Sequence, residues 1–206
     1  MIAVLTGDII NSAQTPVPEW LPALKSLMGE WGESPQDWEI YRGDELQLRL
    51  PPGKALRAAV WLKALMRSRE DMDIRLAIGI GTETFRGRRV SESNGEAYRR
   101  SGRAFENLKK DKTRLKVSGG VPDADKSLNL MLRLALQFMD SWTRVSAETV
   151  SLALAYPEAS QETLAERLEI RQSAVSQRQT RARLDLVREL LGYYQDDYLK
   201  QIGCLL

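Results

Sequence analysis

The sequence predicts an α+β fold, in which a mixed sheet covered by helices is followed by a segment made of helices alone. Strand patterns and helix patterns follow one another over roughly the first 120 residues. Glycine and proline then interrupt the pattern at 119–122. From Asp125 onward we find no strand pattern. We therefore expect two domains, 1–122 with the sheet and 123–206 made of helices.

The first domain is predicted to begin with a buried strand at 2–10, where an apolar run leads into Thr6, Gly7 and Asp8. Apolar residues at helical or alternating spacing define the remaining elements of this domain. These elements are a helix at 19–31, two strands within 38–50 around a turn at 42–44, a helix at 54–67, a strand at 73–81, a basic loop at 82–93, a helix at 94–110 and a short strand at 113–118.

The second domain is predicted to contain helices at 126–142 and 146–156, followed by a helix-turn-helix motif. Ser160 stands at an N-cap position ahead of the next helix, and a short turn precedes the last helix of the motif, at 172–183. The stretch QETLAERLEIRQSAVSQRQTRAR resembles the helix-turn-helix of bacterial DNA-binding proteins, with Glu169 where a glycine is common. The alternative is a plain helical hairpin with an Arg-rich solvent face.

In helix-turn-helix proteins the second helix enters the major groove of DNA. Carried over position by position, this resemblance implies DNA contacts by polar and basic side chains. They are Arg171, Gln172, Ser173, Ser176, Gln177, Arg178 and Arg181.

A final helix is predicted at 184–202. It carries an apolar seam at steps of three and four, made of Leu184, Val187, Leu191, Tyr194 and Tyr198. This seam could pack on the helices of its own chain or pair two subunits. A homodimer would suit an operator with two half-sites. The sequence leaves both alternatives open.

The composition excludes several kinds of chemistry. Histidine is absent and Cys204 is the only cysteine, which excludes His-based catalysis, imidazole zinc sites and an internal disulfide. A single cysteine and the absence of a signal peptide pattern predict a cytoplasmic protein. No apolar stretch approaches the roughly twenty residues of a membrane span, so we expect no membrane partner.

Two aspartates are the candidate metal ligands. Asp8 ends the apolar run of the first strand, and Asp44 lies in the predicted hairpin turn. Carboxylates on a rigid frame are the hard oxygen ligands that Mg²⁺ and Mn²⁺ prefer. The segment 86–116 holds eleven Lys or Arg against four acids, which fits a phosphate-bearing partner. The alternative is that both aspartates only serve turns beside glycines.

The stretches TGDIINS, RGDELQLRL, IRLAIGIGTE and NGEAYRRSGRAFENL resemble the class III nucleotidyl cyclases and the GGDEF diguanylate cyclases, which share a ferredoxin-like palm. The resemblance implies that Asp8, the Ile9 carbonyl and Asp44 hold Mg²⁺ or Mn²⁺. It also implies that Arg42, Gly43, Arg99 and Arg103 bind a nucleotide, with Asp8, Asp44 and Arg103 catalytic in an enzyme. Arg99 stands where those cyclases carry an asparagine, which disfavours cyclisation.

Over essentially the full length, TGDIINS, RGDELQ, AIGIG and SNGEAYRRSG ahead of a helix-turn-helix resemble the SatD family of bacterial proteins. This resemblance implies a palm-like domain joined to a DNA-binding module. We therefore expect a DNA-binding transcriptional regulator whose first domain senses a nucleotide or a metal ion. The first alternative is a metal-dependent nucleotidyl cyclase or nucleotidyltransferase acting on nucleoside triphosphates. The second is an interaction protein that uses neither site.

Overall fold

The computed structural model describes residues 1–204 and has a mixed five-stranded sheet as its centre. The predicted α+β class is confirmed. The strands are β1 (Ile2–Ile10), β2 (Trp38–Tyr41), β3 (Glu45–Leu50), β4 (Asp73–Gly81), a separate short pair β5 (Glu83–Phe85) and β6 (Asn94–Gly95), and β7 (Leu115–Ser118). The helices are α1 (Val17–Gly29), α2 (Pro52–Arg67), α3 (Glu96–Lys110), α4 (Pro122–Met139), α5 (Arg144–Ala155), α6 (Gln161–Arg167), α7 (Gln172–Ala182), α8 (Leu184–Tyr193) and α9 (Leu199–Gln201), with a 3₁₀ turn at Val90–Glu92 and a π-helical turn at Tyr194–Tyr198.

The sheet has the strand order β2-β3-β1-β4-β7. Neighbouring strands are antiparallel except β4 and β7, which run parallel because the connection that contains α3 returns the chain to the end of the sheet at which β4 begins. The central strand β1 places Asp8 between Glu45 of β3 and Arg75 of β4. Residues at this end of the sheet therefore come together from three strands.

Alternation along β1 gives the sheet two covered faces. Leu5 and Ile9 belong to the main core with α1 and α2, whereas Val4 packs against Tyr98 of α3 on the opposite face. On that face α3 lies very close to β4. A Cβ atom on Gly79 would come within 2.2 Å of the Ala97 carbonyl oxygen, so glycine is required for this contact.

Helices α4 to α9 form the helical segment, which packs on α2 through α5. One continuous apolar core runs from Ala3 to Ile202. Polar bonds join the same surfaces, since Trp61 Nε1 of α2 donates to Ser151 Oγ of α5 at 3.1 Å. Helix α4 begins at Pro122, four residues before its predicted start, because proline is favoured in the first helical turn. The division into domains at 122 and 123 thus falls at the first turn of α4, within a shared core, and stays a prediction.

The apolar seam of the C-terminal helix is used inside the chain. Leu184, Val187, Tyr194 and Tyr198 are buried in the main core, and Leu191 packs against it. The two tyrosine hydroxyls donate to the Pro52 carbonyl at 2.8 Å and to Asp125 at 2.6 Å, respectively. The first of the two alternatives, packing on its own helices, is therefore the observed one.

Two local differences from the predicted elements concern residues 82–93, where a loop was expected. This segment contains β5, which pairs with β6, and the 3₁₀ turn that closes on Val90. Among residues 1–204, no helix combines the length and the apolar character that a membrane crossing requires.

Candidate functional sites

The carboxylate of Asp8 is held by Arg75, a partner that the sequence did not reveal. Arg75 Nε donates to Asp8 Oδ1 at 2.8 Å and Nη2 donates to Oδ2, which makes the pair bidentate. The side chains are 13% and 23% exposed for Asp8 and Arg75. Hydrogen bonding to Asp8 raises the pKa of the Arg75 guanidinium. The Asp8 carboxylate is therefore neutralised by a permanently charged partner.

Asp44 lies at the same corner of the sheet. Its carbonyl oxygen accepts the Ile9 amide at 3.0 Å, and Ser12 Oγ lies 3.5 Å from its Oδ2. Its charge also contributes to the raised pKa of Arg75, so the guanidinium lies within electrostatic range of both aspartates. The structure thus brings Asp8, Ile9 and Asp44 together, as the resemblance implied, but with Arg75 as the cation among them.

This corner as it stands does not fit a divalent cation. Within residues 1–204, no three acidic or cysteine side chains come close enough to hold a metal ion. Both oxygens of Asp8 are already bonded to Arg75. A Mg²⁺ or Mn²⁺ ion would have to displace the guanidinium first, and the metal site stays a prediction.

The predicted nucleotide-binding residues of the hairpin form an exposed turn. Arg42 and Gly43 both have positive φ values, 51° and 89°, which a glycine adopts without strain and an arginine does not. The Arg42 side chain is 80% exposed and lies 3.9 Å from Glu45. Arg42 thus pairs loosely with Glu45 at the surface.

The two arginines of α3 lie away from the aspartates. Arg99 and Arg103 are exposed, whereas the buried side of α3 is formed by Ala97, Ser101 and Ala104 among others. At about 100° per residue, both arginines lie on the side of α3 that is turned away from the sheet. The structure does not bring them to the corner of Asp8 and Asp44.

A buried network on the α3 face fixes the segment between β4 and α3. Arg49 Nε and the Tyr98 hydroxyl both donate to Glu83, at 2.7 Å and 2.8 Å. The Arg49 bond lowers the pKa of Glu83 although burial opposes this. Burial and the bond to Glu83 raise the pKa of Tyr98 to about 12, so this tyrosine stays protonated near neutral pH.

Glu39 holds the same segment through a second set of bonds. Its carboxylate accepts hydrogen bonds from Ser91, at 2.7 Å, and from Arg89. Burial raises the pKa of Glu39, but these two bonds outweigh burial and lower it below the usual value. Both networks join β2 and β3 to residues 83–98, which gives them a structural role.

Helices α6 and α7 form the predicted pair around a short turn. Ser160 caps α6 by accepting the Thr163 amide at 3.2 Å, as the N-cap pattern predicted. The Ile170 amide donates to the Ala165 carbonyl at 3.0 Å and closes the turn. Glu169 has a φ of 54°, the left-handed conformation for which glycine is commonly used at this place.

Most of the residues predicted to contact DNA are exposed. Val175 and Ala182 bury one side of α7, and the opposite side carries Ser173 and Gln177. The predicted residues divide into exposed ones and half-buried ones. Exposed are Arg171, Gln172, Ser173, Gln177 and Arg181, and half-buried are Ser176 and Arg178.

Two of these residues are engaged within the chain. Arg178 lies 3.7 Å from Glu148 of α5, and the Gln172 side chain donates to Gln161 of α6. Thr180, which the predicted set does not include, is exposed on the same side of α7 as Ser173 and Gln177. Its position three residues after Gln177 is the helical spacing that could have revealed it.

Comparisons of the chain with protein-family models, with curated proteins and with solved structures find no match, so only the residues themselves support a function.

Proposed function

We propose that this chain is a cytoplasmic DNA-binding transcriptional regulator with α7 as its recognition helix. The observation that carries the proposal is the exposed side of α7. It presents the uncharged hydrogen-bonding side chains of Ser173, Gln177 and Thr180, and Arg171 and Arg181 are exposed nearby. The helix itself is anchored in the core on its other side through Val175.

This distribution suits a duplex. Gln side chains recognise adenine edges with two hydrogen bonds in the major groove, and Arg side chains bind phosphates. No acidic residue occurs between Arg171 and Arg183 to repel the backbone of DNA. Within this proposal, Arg171 and Arg181 position the helix, while Ser173, Gln177 and Thr180 read bases. Arg178 has a smaller part, because Glu148 holds it.

The test begins with selection of bound duplexes from a random library by the full chain. Gln177→Ala is expected to relax the preference at one base pair by about 1–3 kcal/mol. Arg181→Ala is expected to weaken binding to all duplexes and to reduce the salt slope by about one. Arg133→Ala, which removes an exposed arginine of α4, is the control and should change neither. Failure to enrich any sequence would contradict the proposal.

We propose that residues 1–122, the sheet unit, form a ferredoxin-like palm, as the resemblance to the SatD family implies, and that this unit has a sensing role. Support comes from the order β2-β3-β1-β4 and the sequence of elements β1-α1-β2-β3-α2-β4 that builds it. The ligand proposed for this unit is a nucleotide or a metal ion. A homodimer on two half-sites would need a surface other than the buried seam.

The alternative is a metal-dependent enzyme acting on nucleoside triphosphates. The proximity of Asp8 and Asp44 supports it, but a divalent cation would first have to displace Arg75 from Asp8. Incubation with each triphosphate and Mn²⁺ tests it by product formation. Turnover that disappears in Asp8→Asn and Asp44→Asn would establish the enzyme. Turnover that survives in both variants would assign the chemistry to other residues.

A further inference from the structure

A cleft of about 480 Å³ opens where β1 ends and where β4 and β7 begin. Four of the residues that line it are cations, Arg75, Lys109, Lys112 and Arg114, whereas Asp140 is the one acid among them. Its remaining lining is formed by Ile10, Leu108 and Thr113. We call this site the cationic cleft.

The chain around Lys112 is folded so that cations from separate elements converge. The Thr113 amide donates to the Leu108 carbonyl at 3.1 Å, which turns the chain back over the end of α3. Lys112 adopts a φ of 50° in this turn, a conformation that a lysine rarely takes. Lys109 and Lys112 thus line the cleft from the last turn of α3 and the loop after it, while Arg75 lines it from β4 and Arg114 from the position before β7.

The two kinds of cation in the cleft differ in their partners. Arg75 is paired with Asp8, and Arg114 is paired with Asp73 at 2.7 Å. Lys109 and Lys112 are exposed, and within the described chain they have no acidic group within 4.0 Å. The cleft therefore contains two lysine charges that have no counter-charge nearby and two arginine charges that are already paired with acids.

The arginines also retain hydrogen-bond donors. Arg75 uses Nε and Nη2 for Asp8, and Arg114 uses Nη1 for its acids. A guanidinium has five N–H groups, so each arginine can donate to a further acceptor. A group with several anionic oxygens would satisfy these donors and the two lysine charges together.

We propose that the cationic cleft binds a small molecule that carries a diphosphate or triphosphate group. Arg75 and Arg114 are less exposed than the two lysines, with side chains 23% and 37% exposed, respectively. A compact phosphate chain reaches them, whereas the backbone of a duplex would meet mainly the lysines. This site does not depend on the proposed DNA-binding role. It rests on the nucleotide-sensing role proposed for the sheet unit and gives that ligand a location, and it uses none of Arg42, Arg99 and Arg103.

Calorimetric titration of the full chain with inorganic pyrophosphate and with ATP, at about 0.15 M salt, tests the proposal. Both are expected to bind, and inorganic phosphate more weakly because it has fewer acceptor oxygens. Lys109→Gln/Lys112→Gln is expected to weaken binding about tenfold or more, since two charge-assisted contacts are lost. Both lysines are exposed, so this variant should keep the circular dichroism spectrum and melting temperature of the parent.

The matched control is Lys25→Gln/Lys54→Gln, which removes two exposed lysines of α1 and α2 and changes the net charge equally. It should bind pyrophosphate like the parent. If none of the three probes bound to the parent chain, the proposal would be overturned. An equal loss of pyrophosphate affinity in both double variants would also overturn it. A third outcome is that the parent does not bind pyrophosphate and that Lys109→Gln/Lys112→Gln loses duplex binding. This outcome would also overturn the proposal, and it would assign these lysines to DNA contacts.

Discussion

Asp73→Asn should be the most destabilising isosteric change in the chain's buried charge network. Asp73 lies between two cations, accepting from Lys63 Nζ at 2.9 Å and 3.1 Å and from Arg114 at 2.7 Å. Asp140 is the second acid, 2.6 Å from Lys63 and 3.6 Å from Arg114. The Lys63 and Asp73 side chains are only 2% and 4% exposed. Asparagine keeps the volume of Asp73 and removes its charge.

The magnitude depends on the partners that the two cations retain. Removing one partner of a buried pair costs about 3–5 kcal/mol, because the other charge is left without compensation. Here Lys63 keeps Asp140, and Arg114 is partly exposed to solvent, so we expect the lower end, about 3 kcal/mol. For a chain of this size that corresponds to a fall in melting temperature of roughly 6–12 °C.

Urea unfolding followed by circular dichroism measures this loss. Asp111→Asn is the control, since Asp111 pairs with Lys116 at 2.5 Å, a shorter distance than any in the Asp73 pairs, but on the surface. The control should leave the unfolding midpoint unchanged. Lys63→Met/Asp73→Asn should lose less than the sum of the single changes, by about 1–3 kcal/mol. A loss below about 1 kcal/mol in Asp73→Asn would refute the reasoning that a buried charge is stranded.

Three further predictions concern backbone and pH. Glu169→Gly should stabilise the chain by about 1 kcal/mol in urea unfolding, because glycine adopts its left-handed φ without strain, and an unchanged midpoint would contradict this. Gly79→Ala should cost about 3 kcal/mol through its clash with α3, whereas Gly102→Ala, with open space around it, should add about 1 kcal/mol to helix stability; similar midpoints for the two would contradict the close packing. Glu83→Gln should cost about 1–2 kcal/mol near pH 7. Because the folded-state pKa of Glu83 is lowered below 4.5, its contribution is present above that pH and is lost as the pH falls through the folded-state pKa, so the stabilities of parent and variant should converge once the pH lies below that folded-state pKa.

The central strands could be predicted because each is a short apolar or alternating stretch, and most residues in it are buried. The predicted strands at 2–10 and 73–81 have the observed bounds, since Ile74, Leu76 and Ile78 alternate and glycine ends the run. The pairing of β5 with β6 could not be predicted in this way. β5 is also bonded to β3 through side chains far apart in the chain, Arg49 and Glu83, and such contacts leave no periodic signal.

In the candidate sites, too, some features follow from local sequence patterns and others depend on contacts between residues far apart in the chain. The meeting of Asp8 and Asp44 follows from a hairpin beside the first strand, which local patterns indicate. The pairing of Asp8 with Arg75 requires the strand register, which one sequence does not contain. A charged residue between Ile74 and Leu76 in an apolar strand was nevertheless a visible sign that Arg75 faces a partner. The helical periodicity of α3 could likewise have placed Arg99 and Arg103 on its solvent side.

The contacts of α2 constrain how the sheet unit could influence α7. Four of its side chains reach the helical segment: Arg57 to the Leu154 carbonyl, Trp61 to Ser151, Lys63 to Asp140, and Arg67 to the Trp142 carbonyl. Because these bonds and the shared core hold α5 firmly against α2, a hinge between the units would have to break all of them. Arg114 offers a smaller change, since it lines the cationic cleft and also pairs with Asp140 at the end of α4. A phosphate chain bound to Arg114 would weaken the pair of Arg114 and Asp140, and Asp140 would then interact mainly with Lys63. The effect of a ligand would therefore begin at the junction of α4 and α5, and α7 packs on α5.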